Sequence, residues 1–141
     1  DSCHVTATRV HHVEPWLQSL VYRFDTNEGS VLFAGDCGDC QALRDAAAGV
    51  DTLVMACTHF GSQHMSADVV DVITGTPEAA AVGTEAGVKR LILTHVSPCF
   101  ATPGIRERAI ADVARNYAGA IVFPSELTTV DLHDSSSHTP L

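Results

Sequence analysis

The sequence predicts a mixed α/β (α+β) fold with helices packed on a sheet, and three observations carry that expectation. From Ser30 onward, short β-branched runs alternate with runs of helical period, in the order strand, helix, strand, helix, strand, helix, strand. Ahead of this, two apolar runs are joined only by Asp25-Thr26-Asn27-Glu28-Gly29, a set of turn-tolerant residues that predicts a hairpin. Finally, Val31-Leu32-Phe33-Ala34-Gly35-Asp36-Cys37-Gly38-Asp39 reads as a buried strand that stops at a glycine and presents a carboxylate at its tip. Gly35 and Gly38 are expected to let the backbone turn sharply on either side of Asp36.

The elements follow in order. His4 to Val10, rich in Val and Thr, is a first strand. His11 to Trp16 is a loop that Pro15 keeps out of any ladder. Ser19 to Phe24 and Ser30 to Ala34 are the hairpin strands. Asp39 to Gly49 reads as a helix with Leu43, Ala46 and Ala47 on one face and Gly49 as its stop. Thr52 to Cys57 is a short apolar strand before Thr58-His59-Phe60-Gly61. Gln63 to Ile73 suits a short helix without requiring one. Thr76 to Ala86 is a helix with Thr76 as cap, Pro77 in the first turn and Gly87 beyond its end. Lys89 to Thr94 is a buried strand that delivers His95. Pro103 to Tyr117 is an amphipathic helix with Ile105, Ala109, Ile110, Val113 and Ala114 inward. Ala120 to Phe123 and Thr128 to Leu132 are expected to close the sheet. The domain is therefore placed at 1–132, and the serine-rich residues 133–141 are expected to be a disordered polar tail.

Composition narrows the function classes. Of 141 residues, 45% are hydrophobic and 18% charged, enough for one domain with a real core. No apolar run approaches the ~20 residues of a membrane helix. Eight Lys and Arg against 17 Asp and Glu leave no basic footprint, which argues against broad nucleic-acid binding. Five cysteines are an odd number in a chain too long to need staples, so a reducing, cytoplasmic setting is expected rather than a disulfide framework. Cys37 and Cys40 have redox spacing but lack the surrounding thioredoxin-like pattern. Eight histidines direct attention to metal chemistry.

His12, Asp36 and His95 share one context: each stands in a loop at a strand end. Imidazole and carboxylate are the ligands of hydrolytic zinc, iron or manganese sites. Two metals roughly 3.5–4 Å apart often share one carboxylate, and a rigid strand tip suits that role. The blocks Val5-Thr6-Ala7, His12-Val13-Glu14-Pro15, Tyr22-Arg23-Phe24, Val31 to Asp36 and Gly87-Val88-Lys89-Arg90-Leu91-Ile92-Leu93-Thr94-His95 together resemble the C-terminal half of a metallo-β-lactamase-fold hydrolase, in the branch of RNase Z and its non-RNA relatives. The resemblance covers residues 3–132.

That resemblance implies half of a metallo-β-lactamase-like αββα sandwich. It implies that His12 is a ligand of a first metal, Asp36 a bridging and catalytic carboxylate, and His95 a ligand of a second. The cofactor is then two divalent ions, zinc first, with manganese or iron as alternatives. Such ions activate water for attack on an ester, lactone, phosphodiester, arylsulfate or aryl halide. The family's His-x-His-x-Asp-His motif is missing here, so an N-terminal half carrying it is expected, in keeping with the abrupt start at Asp1. RNase Z has a glutamate and a His-Ser-Thr motif where this chain reads Met55-Ala56-Cys57-Thr58 and Thr74-Gly75-Thr76. Missing that proton-handling histidine, the chain is expected to act on a small organic molecule rather than RNA. The basic residue that often follows the last histidine is also absent from His95-Val96-Ser97-Pro98.

Three further residues, His59, His64 and Trp16, complete the expected site. His59 and His64 flank a glycine loop; His64 is assigned to proton transfer and His59 to substrate binding. Trp16 is assigned to the substrate pocket, with core packing or a homodimer contact as alternatives. His11 is expected to point away from its neighbour His12 where the local backbone is extended. The rival readings are an RNase Z-type tRNA 3′-processing endonuclease and a non-catalytic half-domain that serves as scaffold or subunit.

Overall fold

A computed structural model describes residues 2–61 and 66–132. Six strands form one sheet in the sequential order β1 to β6: His4–Val10, Ser19–Thr26, Gly29–Ala34, Thr52–Ala56, Arg90–Thr94 and Ala120–Val122. The first three pair antiparallel and the remaining steps are parallel. Helices α1 (Gln41–Ala47), α3 (Thr76–Glu85) and α4 (Ile105–Ala114) make the crossovers, and α2 (Ala67–Val72) precedes α3.

This order fixes where the helices go. Parallel crossovers are almost always right-handed. With strands added one after another in the same direction, every such crossover lands on the same face. Leu32, Leu53 and Leu91 lie side by side in register on that face and are fully buried. They share one core with Leu43 of α1, Ala79 and Val82 of α3, and Ala109 and Val113 of α4. The opposite face carries Tyr22, Phe33, Val54, Ile92 and Val122 in one register row. Beside it runs Phe24, Val31, Thr52, Arg90 and Ala120. No described helix covers this second face over β2 and β3, where Tyr22 and Phe33 are 43% and 48% exposed. Phe24 and Phe33 meet edge to face there, with centroids 5.6 Å apart.

The two ends of the parallel strands differ. At the N-terminal end, Asp51 ties three strands together. Its carboxylate accepts from the Ser30 amide (2.8 Å), the Ser30 hydroxyl (2.9 Å) and the Lys89 ammonium (2.7 Å). Its carbonyl accepts from the amides of Lys89 and Arg90. A cavity of about 550 Å³ lies at this end, between Phe24, Val31, Asp51, Arg90 and Leu132. The C-terminal end bears the loops that hold Asp36, His59 and His95.

Several expectations are corrected. Thr128 to Leu132 is not a strand: the stretch joins no sheet, and the carbonyl of Asp131 accepts from the Arg90 guanidinium instead. Thr76 is not the cap of α3. Gly75 holds that position, its amide donating to Glu78 at 2.9 Å, while the Thr76 hydroxyl donates to Asp112 on α4 at 2.5 Å. Ala114 is exposed rather than inward, because α4 is one residue past its buried stripe there. That helix starts at Ile105, since Gly104 before it is left-handed at φ 81°. Gly35 needs no glycine geometry, having neither a left-handed φ nor any described neighbour within 4 Å of a Cβ. The expected tail at 133–141 lies outside the described residues. No described helix is long and apolar enough to cross a membrane.

Candidate metal centre

Asp36 stands two residues beyond β3, and His95 immediately follows β5. The parallel register aligns Ala34, Met55 and Leu93, so the strand ends finish side by side. His95 takes a left-handed φ of 50°, a region histidine enters more readily than most residues. Its Nε2 lies 3.0 Å from Oδ1 of Asp36. Two ligands on one zinc at about 2.0–2.2 Å in tetrahedral geometry would sit about 3.4 Å apart, so this spacing suits two donors to a common ion. The two side chains are 62% and 44% exposed, so as a plain surface ion pair they would add little stability.

His12 sits two residues past β1 in the loop that leads to β2. Its Nδ1 is 2.6 Å from the carbonyl oxygen of Val72, at the end of α2. A carbonyl only accepts, so Nδ1 carries the proton and Nε2 is left with its lone pair. Metal-ligating histidines are usually oriented in this way, through a hydrogen bond from the other ring nitrogen. His11 contacts the same end of α2 through the neighbouring residue, Asp71. Its Nε2 is 3.3 Å from the carboxylate of Asp71 and its Nδ1 3.8 Å from Glu14. The Arg9 guanidinium donates to Glu14 and, with a minor contribution from His11, holds that carboxyl below its ordinary range.

Around these residues, Trp16 is 85% exposed in the β1–β2 loop. His59 is not on an open loop: it is 6% exposed. Its ring lies so close to Gly75 that a Cβ there would come within 2.6 Å of Nε2. The Thr58 hydroxyl donates to the Thr74 carbonyl at 3.0 Å, so its oxygen is left to accept from Nδ1 of His59 at 3.2 Å. Among the described residues Nε2 of His59 has no hydrogen-bond partner, and it faces the Glu78 carboxylate at 3.6 Å. His64 lies outside the described residues. Cys37 and Cys57 are buried, and burial pushes both thiols up to about 12, the reverse of an activated redox cysteine.

The structure thus brings Asp36 and His95 together and orients His12. It gathers no group of three or more potential metal ligands among the described residues. The donor types fit a divalent metal, and the described set falls short of a complete coordination sphere. Sequence reasoning missed the Val72 carbonyl, the Asp71 contact and the pairing of Glu78 with His59. A backbone acceptor leaves no trace in residue type, and Glu78 reads as an ordinary first-turn glutamate.

The fold and site define a class: a sheet with its described helices on one face and an aspartate beside a histidine at its strand tips, donor types that fit a divalent metal. A family profile described as "Beta-lactamase superfamily domain" matches residues 1–96, and the chain belongs to that family. It is 32% identical over 125 residues to a protein named putative ribonuclease Z from Mycobacterium tuberculosis (strain CDC 1551 / Oshkosh), a match covering 84% of this chain and 55% of the relative. The chain spans about half the length of the curated relatives it matches. Among solved structures, the metallo-β-lactamase fold protein YhfI from Bacillus subtilis superposes with a TM-score of 0.71 at 17% identity, covering 85% of this chain and 46% of YhfI. The short form of human tRNase Z gives 0.65 at 18% identity, covering 94% and 43%. These likenesses establish the metallo-β-lactamase fold.

Proposed function

We propose that this chain is the C-terminal half of a dinuclear metal-dependent hydrolase acting on a small organic substrate. The observation that carries the reading is the Asp36–His95 contact at the tips of β3 and β5, with His12 held in the tautomer that frees Nε2. Two divalent ions, zinc first and manganese or iron next, would be held by His12, Asp36 and His95 together with ligands from a His-x-His-x-Asp-His segment in the N-terminal half. When bound, such ions lower the pKa of water to ~7 and polarise an ester, lactone, phosphodiester, arylsulfate or aryl halide. The open Tyr22–Phe33 face supports the expected partner, since an apolar sheet face needs a second layer. Trp16 supplies an exposed aromatic surface for an apolar substrate group, and it would serve a homodimer contact equally well. His64 is kept as the proton donor. His59, being buried, would bear on substrate only through the residues packed over it. Five free cysteines fit a cytoplasmic setting.

A second reading is favoured by a specific observation: the curated relatives are named ribonuclease Z. On that reading the intact protein processes tRNA 3′ ends. The net charge of −9 and the residues at Met55–Thr58 and Thr74–Thr76 favour the small substrate. The intact protein should contain about two metal ions per chain by elemental analysis. Asp36→Ala should remove metal and turnover together, assayed on an aryl ester, an aryl sulfate, bis(p-nitrophenyl) phosphate and a tRNA precursor. Unchanged turnover in Asp36→Ala refutes the assignment, and cleavage of only the precursor selects the second reading.

A further inference from the structure

We propose that Gly38 and the C-terminal end of α2 form a positioning clamp for His12. The clamp rests on three contacts that converge on one short stretch. The Val72 carbonyl accepts a hydrogen bond from Nδ1–H of His12 at 2.6 Å. The Gly38 amide donates to the carbonyl of His11 at 2.9 Å, which joins the Asp36 loop to the His12 loop through backbone alone. Gly38 also packs face to face with α2. A Cβ there would collide with the Asp71 carbonyl oxygen, lie 2.9 Å from its carbon and 3.3 Å from the Val72 Cα. The Asp71 side chain adds a fourth link, to His11.

Glycine at 38 is therefore needed for close approach. Its φ is not left-handed, so conformational freedom is not the reason. Any side chain drives the end of α2 away from the loop, and the Val72 carbonyl moves with it. His12 then loses the acceptor that selects its tautomer. Because Gly38 lies two residues beyond Asp36, one packing contact sets the relation between two of the ligands. Gly38 is a positioning residue; it touches neither metal nor substrate.

The inference deepens the metal-site reading, and its first test does not depend on that reading. In the metal-free intact protein, side-chain nitrogen NMR of the histidines should show His12 protonated at Nδ1 and bare at Nε2. A proton on Nε2 with bare Nδ1 overturns the clamp without any variant. In Gly38→Ala the resonance should move to a mixture of tautomers, and zinc affinity should fall by about 10–100-fold. Gly35→Ala is the matched control, since a Cβ at that position meets nothing within 4 Å. It should keep both the tautomer and the affinity. A folded Gly38→Ala that retains both also overturns the clamp. A wild-type protein with the Nδ1–H tautomer that binds no zinc leaves the clamp standing and removes the metal-site reading.

Discussion

Replacing Phe33 with aspartate in the intact protein tests whether the open sheet face is covered by a second layer. A phenylalanine presents roughly 200 Å² of surface. Phe33 is 48% exposed in this chain, so its neighbours here bury about 100 Å². At ~25 cal/mol/Å² that half is worth about 2.5 kcal/mol. If the face stays open, the new carboxylate sits in water and this is the whole cost. If an N-terminal half covers the face, the other ~100 Å² adds about 2.5 kcal/mol. An unpaired carboxylate also enters an apolar layer, at several kcal/mol more. The sum exceeds about 5 kcal/mol, comparable with the entire stability of many domains. Urea unfolding followed by circular dichroism reads the difference. Leu17→Asp is the control, being 45% exposed but in the β1–β2 loop. Phe33→Asp should abolish cooperative folding, while Leu17→Asp should cost about 1 kcal/mol or less. A Phe33→Asp protein that unfolds cooperatively and loses no more than about 2.5 kcal/mol would show that nothing covers the face.

Two further outcomes follow from the ionisable groups. Hydrogen bonds from Lys89 and then Ser30 hold the Asp51 carboxyl at about 2 against an ordinary 3.8. A depressed carboxyl stabilises the fold above 3.8, and the contribution disappears as pH falls through 2. With the side chain about a third exposed, it is worth about 1 kcal/mol after screening. Asp51→Asn should lower the melting temperature at pH 7 and flatten its dependence between pH 4 and 2; an unchanged acid profile contradicts the latch. With their thiols at about 12, Cys37 and Cys57 should resist iodoacetamide at pH 7 while exposed Cys3 and Cys99 react, as read by peptide mass spectrometry. Rapid native labelling of Cys37 would contradict its burial.

The strands were legible because each is a compact apolar run with turn chemistry at its ends. Val31 to Ala34 and Arg90 to Thr94 carry enough β-branched and leucine character that their tips, and hence Asp36 and His95, could be placed. Thr128 to Leu132 misled because alternation alone does not supply a pairing partner, and Asp131 found a side-chain donor instead. His59 misled in the opposite direction. A histidine beside glycine suggests an exposed loop, but Gly75, sixteen residues on, leaves room for the ring to be buried. Position 38 shows the same limit. The sequence announces a glycine there without saying whether it serves a turn or a contact, and only the approach of α2 decides.

The Asp51 knot has a consequence for how such a sheet can change over time. It fastens Ser30, Lys89 and Arg90 at the pole remote from Asp36 and His95. The alignment of three parallel strands is thus guaranteed from behind. Loops at the front can lengthen, shorten or exchange residues while the strand tips stay level with one another. A frame anchored at its back is free to be refitted at its mouth, and chains that share this sheet can diverge in substrate without first having to invent a new fold.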